Sequence, residues 1–415
     1  MIRSDVLVIG AGLSGLMAAY VSAKRGKRVT LLTYGEGTLT VNSGVIDFLG
    51  YDSAHRRVLN PREAIGRLPA EHPYYKIGSK ALGEAADCFK ELVSRYGMPY
   101  VGSLDKNQMV ITAVGTEKPT GLAPKMLAAG EVLPGKKRIV VVRVRGLKDF
   151  YGEIMVENLK KTLGEKLIYE SIEIETNLAD GRDFTTQDVA RWLDAPEGRQ
   201  SFVAQLGTVK KDGSTLIVVP QILGTFGTSA YQELCAELTA DLVETTCLPP
   251  SVNGMRLQRI FLEELRVLGV DIVGNSKAIR AAFDGKRASA VIAKTVSNER
   301  LYYADKFILA TGGFYSGGIT MRDFEQLKEM VFGLPVAFTA GEKNWSNAEL
   351  FSDRPQGFAK AGIRVDDSLR PADSAGAALF ENIYVVGRNL AGYDFCFEHS
   401  GNGVAIGSAY KAACM

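Results

Sequence analysis

The chain has 415 residues, of which 46% are hydrophobic and 23% charged, and its formal net charge is +2. This composition is ordinary for a globular protein of about two domains, and so small a net charge argues against a general affinity for nucleic acid or anionic lipid. No run approaches the roughly 18 to 20 consecutive apolar residues of a membrane span. Because the first predicted strand begins close to the N-terminus, we expect no signal peptide. We therefore expect a cytoplasmic protein.

Cysteine and histidine usage argues against a metal site. The five cysteines are odd in number and lack C-x-x-C spacing, which is typical of free thiols in a reducing compartment and not of zinc or iron–sulfur ligands. The three histidines, His55, His72 and His399, are too few for a site built from clustered histidines. The sequence predicts no bound metal.

The first βα unit carries the clearest motif. An apolar run at 6–9 predicts a strand buried on both faces of a parallel sheet. The G-x-G-x-x-G spacing that follows provides a tight turn, room for a pyrophosphate and close packing of helix on strand. A helix is predicted over 16–24, with its N-terminus toward an anion, and a second strand over 28–33. This unit predicts a dinucleotide site whose turn comprises Gly10, Gly12, Leu13, Ser14 and Gly15.

The end of the second strand departs from the usual pattern. An acidic residue normally lies there, about 20 residues beyond the glycine turn, and binds the ribose hydroxyls. Here Thr33 and Tyr34 occupy that region, and Glu36 follows later. Either Glu36 reaches back to the ribose, or Thr33 or the backbone holds it. Both Thr33 and Tyr34 are predicted to contact the cofactor.

Residues 51–250 are predicted to form an insertion of mixed α/β structure. Apolar residues recur at helical spacing over 82–96, and a helix also fits 147–163. Strands are predicted over 138–143, 215–223 and 241–248, with a helix over 231–240 between the last two. Two consecutive prolines at 249–250 close this segment.

Elements of nucleotide-binding type return after the insertion. A helix predicted over 254–268 ends at a glycine. Further strands are predicted over 270–273, 288–294, 306–309 and 381–386. The third of them leads into the turn Ala310-Thr311-Gly312-Gly313, and the last leads into Gly387. The residues 400–407 then open a final helix rich in small side chains.

These C-terminal elements, in this order, resemble the FAD-binding fold of the fumarate reductase and glycerol-3-phosphate dehydrogenase type. The resemblance implies an α/β chain with a Rossmann-like FAD-binding domain built from residues 1–50 and 251–415, and residues 51–250 as an inserted capping and α/β segment. In such folds the last helix points its N-terminus at the pyrimidine edge of the flavin, where a reduced flavin carries negative charge. The implied cofactor is a non-covalent FAD, with FMN as the alternative, and its further contacts are Asn42, Ser43, Gly44, Ala310, Thr311, Gly312, Gly387, Gly401, Asn402, Gly403 and Val404.

Several stretches are similar to one family, the B subunit of anaerobic glycerol-3-phosphate dehydrogenase. They lie at 42–47, 71–74, 248–258, 310–318, 369–371 and 387–413, so the resemblance covers essentially the whole chain. Within the last stretch, residues 398–403 hold fewer glycines than the family pattern. The resemblance implies a second flavoprotein that works with the catalytic flavoprotein (the A subunit) and the iron–sulfur protein (the C subunit) of the same dehydrogenase. Glycerol 3-phosphate and quinone would be reached through that complex, held peripherally on the inner face of the cell membrane by the partner subunits.

Oxidation of glycerol 3-phosphate needs a base for the hydroxyl proton, cations for the phosphate and a flavin for the hydride. His399 is the candidate catalytic base, whereas His72 precedes a proline, which favours a structural role. Arg256, Arg370 and Arg388 could supply positive charge, and each also has an ordinary structural or surface interpretation.

Because no compelling constellation of phosphate ligands and base stands out, we expect this protein to relay electrons and not to oxidise the substrate itself. One alternative is a self-sufficient flavin oxidoreductase, although relatives of that kind place arginine and histidine pairs in the capping segment, and residues 51–137 hold no convincing pair. A non-catalytic, flavin-stabilised scaffold is the other alternative.

Overall fold

The computed structural model describes residues 2–178, 183–207, 209, 213–323, 326–349 and 354–415. Contacts within the chain divide it into two compact units. Unit 1 comprises residues 1–38, 46–89 and 259–415, and unit 2 comprises residues 39–45 and 90–258. Within the described ranges, no helix is long and apolar enough to cross a membrane.

The secondary structure alternates between strands and helices along most of the chain. The strands are β1 (Ile2–Ile9), β2 (Val29–Leu32), β3 (Tyr100–Gly102), β4 (Gln108–Ile111), β5 (Glu117–Thr120), β6 (Leu122–Pro124), β7 (Arg138–Val144), β8 (Ile168–Ile174), β9 (Thr215–Val219), β10 (Asp241–Glu244), β11 (Asp271–Val273), β12 (Lys277–Asp284), β13 (Arg287–Lys294), β14 (Glu299–Leu309), β15 (Ile319–Asp323), β16 (Gln326–Glu329) and β17 (Ile383–Val385). The α-helices are α1 (Leu13–Lys24), α2 (Pro61–Ile65), α3 (Pro73–Ile77), α4 (Ser79–Arg95), α5 (Ala129–Val132), α6 (Gly152–Leu163), α7 (Thr186–Asp194), α8 (Pro196–Gln205), α9 (Ser229–Leu238), α10 (Val252–Val267), α11 (Phe395–Glu398) and α12 (Gly401–Cys414).

Unit 1 is organised around a seven-stranded sheet of order β11-β2-β1-β14-β13-β12, with β17 also paired to β14. The strands β11, β2, β1, β14 and β17 run parallel, whereas β12 and β13 pair antiparallel. The apolar run at the end of β1 is buried, as expected for a strand covered on both faces. Because Ile9 pairs with both Leu32 and Leu309, the carboxyl ends of three parallel strands meet at one edge.

Small side chains allow α1 and α12 to pack closely against each other in unit 1. Both helices are rich in alanine, glycine and serine, and most of their residues are buried. The buried Ser408 of α12 donates to the Val404 carbonyl and accepts a hydrogen bond from the Gly387 amide at 2.9 Å. The contact fixes the turn that follows β17 beside α12.

Unit 2 contains a four-stranded parallel sheet of order β10-β9-β7-β8. The valine and isoleucine run of β7 and all of β9 are buried and form the centre of an apolar core. The predicted strand 215–223 ends early, at Val219, because Pro220 has no N–H for the ladder. Helix α6 begins at Gly152 and not at Leu147 as predicted, since Asp149 adopts φ 66°, outside the helical region.

The bounds of the two compact units are not those of the predicted domains, whose boundaries at 51 and 251 stay a prediction. Residues 46–89 belong to unit 1, where the Tyr74 hydroxyl donates to the Ser400 carbonyl (3.3 Å) and the Gly50 amide donates to the Glu398 carbonyl (2.9 Å). Residues 251–258 belong to unit 2, where the Ser251 amide donates to the Thr40 carbonyl and Arg256 bonds Glu244. Both segments are held by long-range polar contacts that hydrophobic periodicity does not reveal.

Candidate cofactor site

A cavity of about 370 Å³ opens in unit 1 where the carboxyl ends of β1, β2 and β14 meet. Its lining comes from residues 9–12, 32–38, 276–278, 310–311, 316–318 and 330–331. Ligands of open α/β sheets bind in the crevice outside the carboxyl ends of the strands. The cavity therefore lies where a dinucleotide is expected.

The three motif glycines have different structural roles. A Cβ on Gly10 would lie 2.3 Å from the Ala310 carbonyl oxygen, and its φ of +109° favours glycine. A Cβ on Gly15 would lie 1.8 Å from the Gly10 oxygen, so this glycine allows α1 to pack on the turn. Around Gly12, by contrast, no heavy atom lies within 4 Å of an added Cβ. Gly12 lines the cavity and leaves space beside the helix N-terminus.

This turn fits a pyrophosphate. Gly12 is the N-cap of α1, in extended conformation, and no side chain caps the helix. The first amides of a helix need acceptors, and together with the helix dipole they form an anion site. Leu13, Ser14 and Gly15 form the first turn of α1 and are buried.

The part of the cavity beyond the turn is lined by the residues predicted near the ribose. Thr33, Tyr34 and Glu36 all border it, as does Lys277, which the sequence did not indicate. The Thr33 hydroxyl donates to the Gly35 carbonyl, and the ammonium of Lys277 lies 5.7 Å from the centre of the Tyr34 ring. Glu36 thus places a carboxylate in the cavity lining, where it can accept hydrogen bonds from ribose hydroxyls. It lies beyond the end of β2, where the acidic residue of such folds is usually found.

The turn after β14 is held by an asparagine that sequence reasoning missed. Asn389 is fully buried and accepts from the Gly312 amide at 2.9 Å. Its side-chain amide donates to the Gly312 carbonyl at 2.9 Å and to the Thr311 hydroxyl at 3.1 Å. Ala310 and Thr311 line the cavity, so Asn389 fixes part of the cavity wall.

The chain matches the family model of the FAD binding domain over residues 5–404. It is 30% identical over 424 residues to the probable B subunit of anaerobic glycerol-3-phosphate dehydrogenase from Halobacterium salinarum, covering 99% of this chain and 97% of that protein. The chain belongs to this B-subunit family. The match confirms the resemblance seen in the motifs, the Rossmann-like α/β fold, and FAD as the cofactor in place of the FMN alternative.

A bacterial member is similarly close. The B subunit of anaerobic glycerol-3-phosphate dehydrogenase from Yersinia enterocolitica is 29% identical over 421 residues, covering 99% of this chain and 97% of that protein.

Among solved structures, the 3-ketosteroid delta1-dehydrogenase of Sterolibacterium denitrificans superposes on this chain with a TM-score of 0.46 and 11% identity. The alignment covers 100% of this chain and 99% of the dehydrogenase. The fold assignment rests on the family match and not on this superposition.

The C-terminal glycines of this family member pack mainly against protein. A Cβ on Gly387 would lie 2.5 Å from the Ser14 hydroxyl, and one on Gly403 would lie 2.3 Å from the Tyr74 hydroxyl. Gly401 lies against the Phe395 side chain. Gly401, Asn402, Gly403 and Val404 form the first turn of α12. Their contact with the flavin stays a prediction, because the cavity lining does not include them.

The predicted flavin contacts Asn42, Ser43 and Gly44 belong to unit 2. There the Asn42 side chain accepts from the Gly44 amide at 2.8 Å, and the Gly44 carbonyl accepts from the Tyr100 hydroxyl at 2.8 Å. The amide of Asn253 donates to the Ser43 carbonyl at 3.0 Å. These contacts shape the loop, and its predicted role in flavin binding stays a prediction.

The two histidines considered as bases differ in their surroundings. His399 adopts the left-handed conformation (φ 48°) after α11, and its ring meets Tyr51 edge-on at 4.9 Å. His72 is buried and caps α3, because its Nδ1 accepts from the Tyr74 amide at 3.1 Å. The structural role predicted for His72 is confirmed, and the catalytic role of His399 stays a prediction.

The three arginines considered as phosphate ligands are engaged within the protein. Arg256 has no exposed side-chain surface and pairs with the equally buried Glu244 at 2.7 Å. Arg370 pairs with Asp366 at 2.8 Å, and the guanidinium of Arg388 lies 4.0 Å from the centre of the Phe395 ring. Arg256 therefore has a structural role, in agreement with the second of its two predicted interpretations and not with a role in phosphate binding.

Proposed function

We propose that this chain is an FAD-carrying component of a respiratory glycerol-3-phosphate dehydrogenase, and that it relays electrons while a partner oxidises the substrate. Its curated relatives are named as the B subunit of the anaerobic enzyme. A protein of that kind acts with other subunits, which we take to be a catalytic flavoprotein, the A subunit, and an iron–sulfur protein, the C subunit. The complex converts glycerol 3-phosphate to dihydroxyacetone phosphate, passes the electrons to quinone, and lies peripherally on the inner face of the cell membrane.

The observation that carries the proposal is the cavity at the Gly10–Gly15 turn. Its wall combines the open position at Gly12, the start of α1 and the end of β2. A flavin mononucleotide has one phosphate and no adenosine, and would leave the end of the cavity near Tyr34 and Lys277 without an occupant. FAD carries a pyrophosphate and an adenosine that can fill both regions. When bound, it supplies two-electron chemistry and single-electron transfer.

The relay role is supported by how the chain uses its cations. Arg256 is fully committed to Glu244 and to the Gly224 carbonyl, which accepts from its Nε at 3.0 Å and Nη2 at 2.6 Å. Arg370 and Arg388 are likewise engaged by a carboxylate and a ring. An enzyme that oxidises a phosphate ester needs cations directed at the substrate, and these three are directed at the protein.

Anaerobic stopped-flow absorbance tests the relay. The chain with its FAD is mixed with glycerol 3-phosphate alone, and then as part of the complex, with the two flavins followed separately. We expect no bleaching of this chain's flavin in isolation, and bleaching that follows reduction of the partner flavin in the complex. Bleaching by substrate without the partner would favour a self-sufficient oxidoreductase. A flavin that no donor in the complex reduces would favour a scaffold.

The variant His399→Ala further distinguishes an electron relay from a subunit that oxidises the substrate itself. A lost general base lowers turnover by about 10² to 10⁴-fold, whereas a relay needs no base for substrate. We expect substrate reduction of the partner flavin to be unchanged in this variant, with any effect confined to the potential of this chain's flavin or to electron exit. A loss of partner-flavin reduction in the intact complex would contradict the relay.

A further inference from the structure

The cavity at the glycine motif has a far end, formed by the segment after β2 and by the turn between β11 and β12. Backbone hydrogen bonds join these two segments. The Thr33 amide donates to the Val273 carbonyl at 2.9 Å, and the Ser276 amide donates to the Thr33 carbonyl at 3.0 Å. Asn275 adopts the left-handed conformation (φ 52°) within the turn. The turn therefore holds Lys277 beside the end of β2.

The loop that carries Tyr34 folds back onto the glycine motif. A Cβ on Gly37 would lie 2.4 Å from the Ala11 carbonyl oxygen and 2.8 Å from the Gly12 amide nitrogen. Because three residues span at most roughly 11 Å, the Cα of Tyr34 lies within that distance of the Cα of Gly37. A nucleoside that extends from a pyrophosphate at Gly12 is long enough to reach the Tyr34 ring.

Tyr34 offers a flat aromatic surface at this far end. The residue is 68% exposed although it borders the cavity. The Lys277 ammonium lies 5.7 Å from the centre of its ring, and among the described residues Lys277 pairs with no carboxylate. Aromatic side chains stack on the faces of nucleobases, and a cation beside them can donate to a nitrogen at the edge of the base. The two side chains together match a nucleobase.

The other parts of a bound dinucleotide have different partners in this cavity. The pyrophosphate has its own site at the start of α1, whose first amides no side chain caps. The ribose lacks the carboxylate that usually ends the second strand, because Thr33 lies there and its hydroxyl donates to the Gly35 carbonyl. The nearest carboxylate of the lining is displaced to Glu36. The base is therefore the part of the adenosine that remains for Tyr34 and Lys277.

We propose that Tyr34 and Lys277 bind the adenine of FAD, with the base stacked on the Tyr34 ring and the Lys277 ammonium donating to a nitrogen of the base. This pair makes the site selective for a flavin that carries adenosine over a flavin mononucleotide. The proposal deepens the FAD assignment and rests on that part of the proposed function, not on the relay role. No sequence motif marks Lys277, because its place beside β2 depends on hydrogen bonds between segments far apart in the chain.

Release of FAD from the full holo chain on dilution, followed by flavin fluorescence, measures the affinity of each variant. In Tyr34→Leu, we expect the Kd for FAD to rise by about tenfold or more, because the base loses its aromatic platform. In Tyr34→Phe, which keeps the ring, the change should stay below about twofold. In Lys277→Met, the Kd should rise by about two- to tenfold, as for the loss of one hydrogen bond.

Two non-fluorescent competitors separate recognition of the base from recognition of the phosphates. ADP carries adenosine and two phosphates, whereas inorganic pyrophosphate carries the phosphates alone. Each is titrated against the holo chain, and its inhibition constant is corrected for the FAD affinity of the variant. We expect Tyr34→Leu and Lys277→Met to weaken ADP by the same factors as FAD and to leave pyrophosphate unchanged.

The matched control is Tyr75→Leu. Tyr75 is 60% exposed and the Lys76 ammonium lies 5.7 Å from the centre of its ring, but neither residue borders the cavity, so every affinity should stay unchanged. An unchanged Kd for FAD in Tyr34→Leu, equal losses for ADP and pyrophosphate, or an equally large loss in Tyr34→Phe would overturn the proposal and leave the proposed function intact. The expected losses in a chain whose flavin no donor of the complex reduces would overturn the relay alone.

Discussion

Replacing Arg256 by methionine should destabilise unit 2 severely. The guanidinium forms a bidentate pair with Glu244, at 2.7 and 2.9 Å, and bonds the Gly224 carbonyl twice. Methionine fills similar volume but leaves Glu244 buried, and among the described residues the Leu223 amide, at 2.6 Å, is the hydrogen-bond donor that remains to it. The variant therefore isolates the loss of the cation from the loss of packing.

The magnitude follows from burial. Both side chains have 0% exposure, and breaking such a pair by removing one partner costs about 3 to 5 kcal/mol of unfolding free energy. Unit 2 offers a control in Lys160→Met, because Lys160 of α6 pairs with Glu157 at exposures of 40% and 63%. Exposed i,i+3 and i,i+4 pairs on a helix contribute only about 0.2 to 0.5 kcal/mol. The two variants should thus differ by about an order of magnitude in their cost.

Urea unfolding followed by tryptophan fluorescence measures both costs. The chain has two tryptophans, Trp192 in unit 2 and Trp345 in unit 1, so a Trp345→Phe background reports unit 2 alone. The double variant Arg256→Met/Glu244→Gln removes the unpaired charge and should recover part of the loss. A loss below about 1 kcal/mol in Arg256→Met, or no recovery in the double variant, would refute the assignment of a buried ion pair.

Three further predictions concern the cofactor turn and the pH dependence of stability. Gly12→Val should fold normally but lose FAD, because its side chain would extend into the open space that the cofactor needs. Gly15→Val should fail to fold, because its Cβ would lie 1.8 Å from the Gly10 carbonyl oxygen. A folded Gly12→Val protein that keeps the yellow colour of bound FAD would contradict this prediction. Burial lowers the pKa of Lys306 to about 8. Above that pH the unfolded chain binds more protons than the folded chain, so the free energy of unfolding should rise from pH 8 toward about 9.5. In thermal melts, Lys306→Met should show a smaller rise of the melting temperature over this pH range. Asn389→Ala should both weaken FAD binding and lower the melting temperature. Asn382→Ala removes hydrogen bonds of 2.8, 2.9 and 3.1 Å that do not involve the turn after β14. This control variant should lower the melting temperature without weakening FAD binding.

The elements that sequence reasoning located well are those set by neighbours along the chain. The apolar run of β7 predicts a strand over 138–143, and the structure has it at Arg138–Val144. The turn between β1 and α1 forms as expected, because the glycine spacing and the flanking strand and helix lie within one short segment. The family resemblance then supplied the fold as a whole, which periodicity alone would have left open.

Features that depend on distant partners were not predictable in the same way. Arg256 had two interpretations until Glu244 was found beside it in the folded chain. Asn389 clamps a turn 77 residues earlier, and nothing in its local sequence marks it for that role. The segment 46–89 joins unit 1 through hydrogen bonds to residues near 400. Such contacts follow from tertiary placement, which neither composition nor spacing encodes locally.

The predicted cofactor glycines illustrate why a glycine motif alone does not define a binding site. Gly12 leaves open space beside a helix N-terminus, so a larger side chain there competes with a ligand and not with the protein. Gly387 and Gly403 leave no such space, because a Cβ would lie 2.5 Å from Ser14 and 2.3 Å from Tyr74. Substitution at either position perturbs packing first, so loss of FAD there would not identify a contact. Of these three glycines, Gly12 is therefore the one whose substitution tests cofactor binding directly.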